Sequence, residues 1–89
     1  MPRYISQHTL ACLTRQGAEE IARRLLAGAP PLAARRVVFN MHEGKMLVEF
    51  DAPSREDLEK WFAASKFHFD WLLRVELEAA PGGWLQPVA

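Results

Sequence analysis

The segment from Arg36 to Pro53 constrains the fold of this chain more than any other stretch. It holds two runs of alternating side chains separated by Glu43 and Gly44, and glycine adopts the positive φ that a two-residue hairpin loop requires. Because successive side chains of a strand point to opposite faces, the runs predict a β-hairpin with one apolar and one mixed face. The apolar set comprises Val37, Phe39, Met41, Met46, Val48 and Phe50.

The residues before the hairpin predict a strand and a helix. The run from Tyr4 to about Cys12 contains Tyr, Ile and Thr and lacks glycine and proline, which indicates a strand. Thr14 can cap a helix of about 13 residues by accepting hydrogen bonds from free backbone N–H groups. That helix should end at Gly28, since glycine takes the left-handed conformation there and the following prolines cannot continue it. Its apolar stripe comprises Ala18, Ile21, Ala22, Leu25, Leu26 and Ala29.

The residues after the hairpin predict a second helix and a last strand. Ser54 is a good N-cap, and Glu56 and Asp57 put negative charge at the positive end of the helix dipole. The buried stripe of this helix should consist of Leu58, Trp61 and Phe62. A loop from Lys66 to Asp70 follows, and alternation resumes from Trp71 as a strand.

The predicted order is βαββαβ, an α+β fold of the ferredoxin-like type. Right-handed crossovers place both helices on one face of a four-stranded antiparallel sheet with the strand order 4-1-3-2. We assign residues 1–80 to this single domain and residues 81–89 to an irregular C-terminal tail. Trp84 and Leu85 in the tail should pack on the domain or on a neighbouring copy, because large apolar side chains are unfavourable in water.

Alternation also assigns side chains to the two faces of the sheet. The core should contain the helix stripes and Val37, Phe39, Met41, Met46, Val48, Phe50, Leu73 and Val75. The sheet face away from the helices, called the open face below, should carry Val38, Asn40, His42, Lys45, Leu47, Glu49, Leu72 and Arg74. Function in this fold usually resides on that face.

Composition excludes several classes of function. The chain has 89 residues and a formal net charge of zero, so it carries no overall electrostatic signature of a nucleic-acid binder. The run from Glu43 to Phe50 has Lys45 and Leu47 where an RNA-recognition module needs stacking aromatic rings. The N-terminus lacks a signal-peptide pattern and no apolar run is long enough to span a membrane, so we expect a soluble cytoplasmic protein. The single cysteine, Cys12, fits a reducing compartment and is expected to be buried.

The open face supplies the candidate ligand-binding residues. His8 can share that face with Ser6, although the weak alternation of the first strand leaves its side open, and a neutral imidazole can be a ligand or a general base. A carboxylate in mid-strand on a half-apolar face is unfavourable unless it is paired or wet. We therefore expect Glu49 and Arg74 to form an ion pair with each other or across a dimer, or to line a pocket where Glu49 is a base or ligand and Arg74 binds an anion. The full predicted set is His8, Asn40, His42, Glu49 and Arg74.

Apolar residues on the open face also predict self-association. Val38, Leu47 and Leu72 would be exposed there in a chain short enough to bury only about two thirds of its unfolded surface. A second copy can cover them if the two sheets pack face to face as a dimeric α+β barrel. The polar residues of the face would then line the enclosed pocket.

The chain resembles a known family through three groups of residues. They are Met1-Pro2-Arg3-Tyr4, then Glu43-Gly44-Lys45 followed by Asp51-Ala52-Pro53-Ser54-Arg55-Glu56, and finally Phe67 with Val75-Glu76. The family consists of bacterial ferredoxin-like proteins of unknown function and includes a streptomycete nickel-binding protein. The resemblance implies a small dimeric α+β barrel and, by analogy, a transition metal such as nickel. Val38, Val48 and Trp61 stand where relatives have candidate donors, which predicts no tight nickel binding here.

These observations lead to three hypotheses from different classes, the third being a purely structural or regulatory interaction module. The first is a small homodimer that holds a small ligand or a transition-metal ion in a sheet-lined pocket. The alternative is an isomerase or cofactor-free monooxygenase-like enzyme for a small cyclic or aromatic compound, with His8 or Glu49 as the proton carrier. No nucleophilic triad or phosphate-binding loop is present in the sequence, and whether the protein is an enzyme stays open at this point.

Overall fold

The chain folds into an α+β arrangement with helices packed on one face of an antiparallel sheet. The structure is a computed structural model and describes residues 1–88. Within those residues the strands are β1 (Arg3–Thr9), β2 (Ala33–Asn40), β3 (Lys45–Asp51), β4 (Trp71–Val75), β5 (Leu77–Glu78) and β6 (Gln86–Pro87), and the helices are α1 (Arg15–Ala27) and α2 (Arg55–Ala64). Neither helix of this described part has the length and apolar character that a membrane span requires.

The main sheet has the order β2-β3-β1-β4, with every neighbouring pair antiparallel. This order is the predicted 4-1-3-2 read from the opposite edge, and it is compatible with a ferredoxin-like fold. The tail differs from the prediction of an irregular segment, because β5 and β6 pair with each other as a small two-stranded sheet. A short hairpin of this kind satisfies backbone groups that an irregular tail would leave to water.

Both helices begin and end where the sequence predicted. The hydroxyl of Thr14 accepts a hydrogen bond from the Gly17 amide at 3.0 Å, and α1 ends at Gly28 with φ 81°. The hydroxyl of Ser54 accepts from the Asp57 amide at 3.1 Å at the start of α2. Each cap satisfies an amide that has no partner inside its helix.

The hairpin turn is longer than predicted. Asn40 pairs with Lys45, so four residues from Met41 to Gly44 form the turn instead of two. The side-chain oxygen of Asn40 accepts a hydrogen bond from the Glu43 amide at 2.9 Å, which stabilises the longer turn. Gly44 has φ 66°, and a Cβ at this position would lie 2.8 Å from the carbonyl oxygen of Leu10.

The core lies between the helices and the inner face of the sheet. It is formed by Tyr4, Leu25, Leu32, Met46, Val48, Phe50, Ala52, Leu58, Phe62 and Leu72. Leu72 is therefore a core residue and the prediction that it lies on the open face is wrong. Side chains alternate along β4, so Leu73 and Val75 point to the face opposite that of Leu72, which is the open face. They are paired there with Ile5 and Arg3 of β1, and their predicted core positions are wrong as well.

Three further predictions about exposure are corrected by the structure. Leu26, which was expected in the buried stripe of α1, is 52% exposed. Met41 lies in the turn and is exposed, since the strand ends before it. Cys12 is exposed at φ 52°, because β1 ends at Thr9 and the chain then turns away from the sheet. Trp84 and Leu85 are exposed, which excludes packing on their own domain, while the alternative of packing on a neighbouring copy stays a prediction.

Candidate functional site

The open face is a regular grid of side chains from four strands. Reading across the order β2, β3, β1, β4, one row is Val38, Leu47, Gln7 and Trp71, the next row is Arg36, Glu49, Ile5 and Leu73, and a third row is Ala33, Asp51, Arg3 and Val75. Cross-strand neighbours in such rows have their Cβ atoms about 5 Å apart. The register of the hairpin and of β4 thus decides which chemical groups meet on this face.

The first two of these rows, called the central rows below, contain five apolar side chains. We call them the apolar band: Ile5, Val38, Leu47, Trp71 and Leu73. Leu73 is 55% exposed and Val38 is 37% exposed, and no described residue of the same chain covers them. Contiguous exposed apolar surface is often found at binding sites, so the apolar band is a candidate site.

Arg36 and Glu49 are the two charged residues within these central rows. They are cross-strand partners on β2 and β3. Among the described residues, neither side chain forms a salt bridge. The next row differs, because Arg35 binds Asp51 at 3.5 Å and Arg3 binds Glu78 at 3.2 Å. The charges at the centre of the face are therefore available to a ligand or to a second copy, while those at its edge are already paired.

A shallow pocket of about 230 Å³ lies between these residues. It is lined by Ile5, Arg36, Val38, Leu47 and Glu49. Apolar walls with a few convergent polar groups are typical of small-molecule sites. The volume is below the range of about 300–1,000 Å³ that such sites usually have.

A hydrogen-bonded chain borders the apolar band at the turn end of the sheet. The Lys45 ammonium group donates to the Thr9 hydroxyl at 2.7 Å, and that hydroxyl donates to the Asp70 carboxylate at 2.6 Å. The Gln7 amide donates to the same carboxylate at 3.2 Å. The hydrogen bond from Thr9 is the main cause that lowers the pKa of Asp70, because it stabilises the ionised form. This border resembles the polar rim that surrounds the apolar centre of an interface.

His8 lies on the other face of the sheet, in the core, so a position on the open face is excluded. Its ring is buried, and its Nδ1 atom lies 2.7 Å from the carbonyl oxygen of His68. Because a carbonyl only accepts, Nδ1 carries the proton, and Nε2 then accepts from the Ser6 hydroxyl at 2.8 Å. Burial is the largest cause that lowers the pKa of His8 below 6.5.

The hydrogen bond between Ser6 and His8 explains how the core accommodates two polar residues. Ser6 is also fully buried, and the ring of His8 packs edge-on against Phe62 and Phe67. The hydrogen bonds to Ser6 and His68 satisfy both ring nitrogens, so the polar groups are not left unpaired. Serine and histidine in contact can form a nucleophile and base, but here neither is accessible to a substrate. We therefore assign this pair a structural role.

The other predicted site residues separate into three places. Asn40 lies on the open face next to Lys45 and uses its side chain to hold the turn through Glu43. His42 lies exposed in the turn itself. Arg74 is opposite Tyr4, a core residue, so it lies on the helix side of the sheet and cannot pair with Glu49. The predicted ion pair between Glu49 and Arg74 is wrong, because β4 has the opposite phase.

Arg36 and Ile5 are the site residues that the sequence analysis missed. Arg36 is the first residue of the predicted hairpin, and its position two residues before Val38 puts it on the same face as Val38. Ile5 is absent from the predicted set because the weak alternation of β1 does not indicate which of its side chains face the core. With Ser6 and His8 as a hydrogen-bonded core pair, Ile5 points outward from β1.

Metal binding receives no geometric support from the described residues. Within residues 1–88, no three side chains of His, Cys, Asp or Glu come together in a group that could hold a metal ion. His8 uses both ring nitrogens in the core, and His42 lies in the turn. The prediction against tight nickel binding stays a prediction.

A second concavity of about 580 Å³ lies beside the end of α2. Its walls are Glu59, Phe62, Ala63, Lys66, Phe67, His68 and Phe69. Two of the polar groups near it already have partners, since Glu59 accepts from Arg55 at 2.6 Å and the His68 carbonyl accepts from His8. The open face combines apolar walls with unpaired charges of both signs, and it is therefore the stronger candidate site.

Comparison of the chain with protein-family models, with curated proteins and with solved structures finds no match. The functional argument therefore depends on the geometry of the open face.

Proposed function

We propose that this protein is a homodimer that binds a small, mainly apolar molecule between the open faces of its two copies. The observation that carries this proposal is the cross-strand pair of Arg36 and Glu49 within the shallow pocket of the apolar band. Two opposite charges without salt-bridge partners in the described chain provide polar recognition where the surrounding wall is apolar.

The charges of the open face support a second copy as its cover. A two-fold axis brings the same surface of both copies together, so a face must be complementary to itself. Arg36 and Glu49 give the centre of this face one positive and one negative group. Two copies would thus enclose two charges of each sign, and the enclosed space would be neutral overall. Burying the apolar band would also add to the limited core of a short chain.

The same residues support one class of ligand. The Arg36 guanidinium is suited to a carboxylate, which it can bind through two parallel hydrogen bonds. The Glu49 carboxylate only accepts and therefore selects a hydroxyl or amino group. Ile5, Val38 and Leu47 supply the apolar wall. We propose a small hydroxy acid or amino acid with an apolar or aromatic body as the ligand.

Native mass spectrometry of the untreated protein reports the mass of the assembly together with any ligand that co-purifies. NMR of the Val38 and Leu47 methyl groups then tests the ligand class with three probes: mandelate, phenylacetate, which lacks the hydroxyl, and benzyl alcohol, which lacks the carboxylate. Mandelate should bind more tightly than the other two, with a dissociation constant below about 1 mM.

The matched variants are Arg36→Met and Lys60→Met, which remove one positive charge from the open face and from an exposed site on α2. Arg36→Met should abolish the response to mandelate and to phenylacetate, and Lys60→Met should leave both unchanged. Equal responses to all three probes would contradict recognition by Arg36 and Glu49. A protein with the mass of one chain would contradict the homodimer.

A further inference from the structure

The C-terminal arm, defined here as residues 76–88, is an ordered projection from the domain. β5 pairs with β6 within it, and the Val88 amide donates to the Glu76 carbonyl at 2.8 Å. The Arg3 guanidinium binds Glu78 at 3.2 Å and so fixes the arm to β1. The radius of gyration of 13.6 Å exceeds the value of about 12 Å expected for a chain of this length, which fits a projecting element.

The arm presents two large apolar side chains that its own copy does not cover. Trp84 is 88% exposed and Leu85 is 64% exposed. Both side chains lie in the connection between β5 and β6, and Gln86, which follows Leu85, pairs with Glu78. A tryptophan at such a position is typical of an interface residue, because tryptophan is strongly enriched among residues that dominate binding energy.

The arm leaves the sheet on the side of the open face. Arg3, which binds Glu78, lies on that face beside Asp51 and Val75. Val88 lines one concavity of about 350 Å³ together with Arg3, Arg35 and Asp51. The arm thus contacts the edge row of the open face and leaves the apolar band uncovered. The arm tip and the band are thus two apolar surfaces that this chain leaves exposed.

We infer that in the homodimer Trp84 and Leu85 of each copy pack on the apolar band of the other copy and add an aromatic wall to its pocket. This inference rests on the proposed function, since it needs the open faces of two copies to meet. A two-fold axis lets the arm tip of each copy reach the band of the other, so both exposed apolar surfaces become buried in one assembly. The second copy also supplies the wall that the pocket of about 230 Å³ lacks in one chain.

The test follows Trp84 directly in the full-length protein labelled with 5-fluorotryptophan. Fluorine NMR should resolve signals from Trp61, Trp71 and Trp84, and the loss of one signal in Trp84→Phe assigns it. In the wild-type dimer the Trp84 signal should be protected from a soluble paramagnetic agent. In Leu47→Asp, which disrupts the open face and serves as the monomer reference, the signal should be fully exposed.

Sedimentation equilibrium of arm variants supplies the second measurement. Trp84→Ala should weaken the dimer at least about tenfold, whereas Trp84→Phe should retain most of the affinity because the ring still fills the contact. Gln86→Ala, a change of a neighbouring arm residue, should leave the affinity unchanged. A wild-type dimer with an exposed Trp84 signal and an unchanged affinity in Trp84→Ala would overturn the inference but keep the homodimer. A wild-type monomer would overturn both.

Discussion

Arg36 on β2 lies directly opposite Glu49 on β3, on the face of the sheet that no helix covers. The bulge between Ala34 and Arg36 lies next to this pair, and it leaves Arg35 to bind Asp51 at the sheet edge. The two residues therefore form the charged centre of an otherwise apolar surface. The proposed partner and the proposed ligand both depend on this pair, because each of them would contact the same two charged side chains.

The first prediction concerns energetic coupling between these charges. In a double-mutant cycle with Arg36→Met and Glu49→Gln, we expect a favourable coupling of up to about 1 kcal/mol, as for other cross-strand pairs of opposite charge. Urea denaturation of the four proteins at one concentration measures it. The control cycle replaces Arg36→Met with Arg74→Met, which should be additive within about 0.5 kcal/mol because Arg74 lies on the other face. Coupling in the control cycle alone would contradict the register described here.

The second prediction is dimerisation through the open face. Sedimentation equilibrium at micromolar concentration should show a wild-type dimer and a Leu47→Asp monomer, because the substitution places a charge in the apolar band. Leu26→Asp is the matched control, since Leu26 is an exposed leucine on α1, away from the open face. This variant should stay dimeric. A wild-type monomer, or dissociation by Leu26→Asp only, would exclude the open face as the interface.

The sequence predicted the order of the main elements because each has strong local signals. Thr14, Gly28 and Ser54 set helix ends through backbone chemistry that acts within a few residues. The turn is longer than predicted because the side chain of Asn40 accepts a hydrogen bond from the Glu43 amide and holds the longer turn. A two-residue loop would pair residue 42 with residue 45, whereas the observed turn pairs residue 40 with residue 45. A shift of the pairing register by two residues keeps every side chain on its face, so the hairpin strands have the predicted faces.

The site was harder to predict because alternation fails as a guide where both faces of a strand are apolar. In β4, Leu72 enters the core while Trp71 and Leu73 point outward, and local sequence does not distinguish the two arrangements. In β1 the polar residues Ser6 and His8 point inward because they satisfy each other. Their pairing depends on the distant His68 carbonyl, which is a tertiary contact. Arg74 was therefore assigned to the wrong face.

The third prediction concerns metal ions. Calorimetric titration with nickel, copper and zinc should show no site tighter than about micromolar, a scale that corresponds to about −8 kcal/mol. The physical reason is that no group of three suitable side chains comes together within residues 1–88. A stoichiometric submicromolar site would contradict this prediction. His42→Ala and His68→Ala would then identify whether either histidine provides a ligand.

The fourth prediction concerns Gly44 in the hairpin turn. Gly44→Ala should destabilise the protein by about 2 kcal/mol or more, because φ is positive and the new Cβ would lie 2.8 Å from the Leu10 carbonyl oxygen. Gly82→Ala is the matched control, since its φ of 79° is also positive but nothing lies within 4 Å. It should cost about 1 kcal/mol from backbone strain. Equal losses in thermal or urea denaturation would show that the contact with Leu10 does not matter.

The last prediction concerns pH and the buried His8. Burial lowers the pKa of His8 below the ordinary 6.5, so the unfolded chain binds a proton more readily than the folded one. The contribution of neutral His8 is complete above pH 6.5 and is lost as the pH falls below that value towards the folded-state pKa. One proton bound only by the unfolded state lowers the free energy of unfolding by up to about 1.4 kcal/mol per pH unit.

Urea denaturation between pH 7.5 and pH 5 measures this dependence on His8, with pH values chosen to bracket the ordinary pKa of about 6.5. The wild type should lose stability over the acidic part of the range. His8→Gln should be less stable at neutral pH, because Ser6 and the His68 carbonyl lose their partner, but its stability should change less with pH. His42→Gln, a change in the exposed turn, should keep the wild-type dependence. If His8→Gln retained the full acid-induced loss, another group would be responsible, and the buried neutral imidazole would not be the source of the pH dependence.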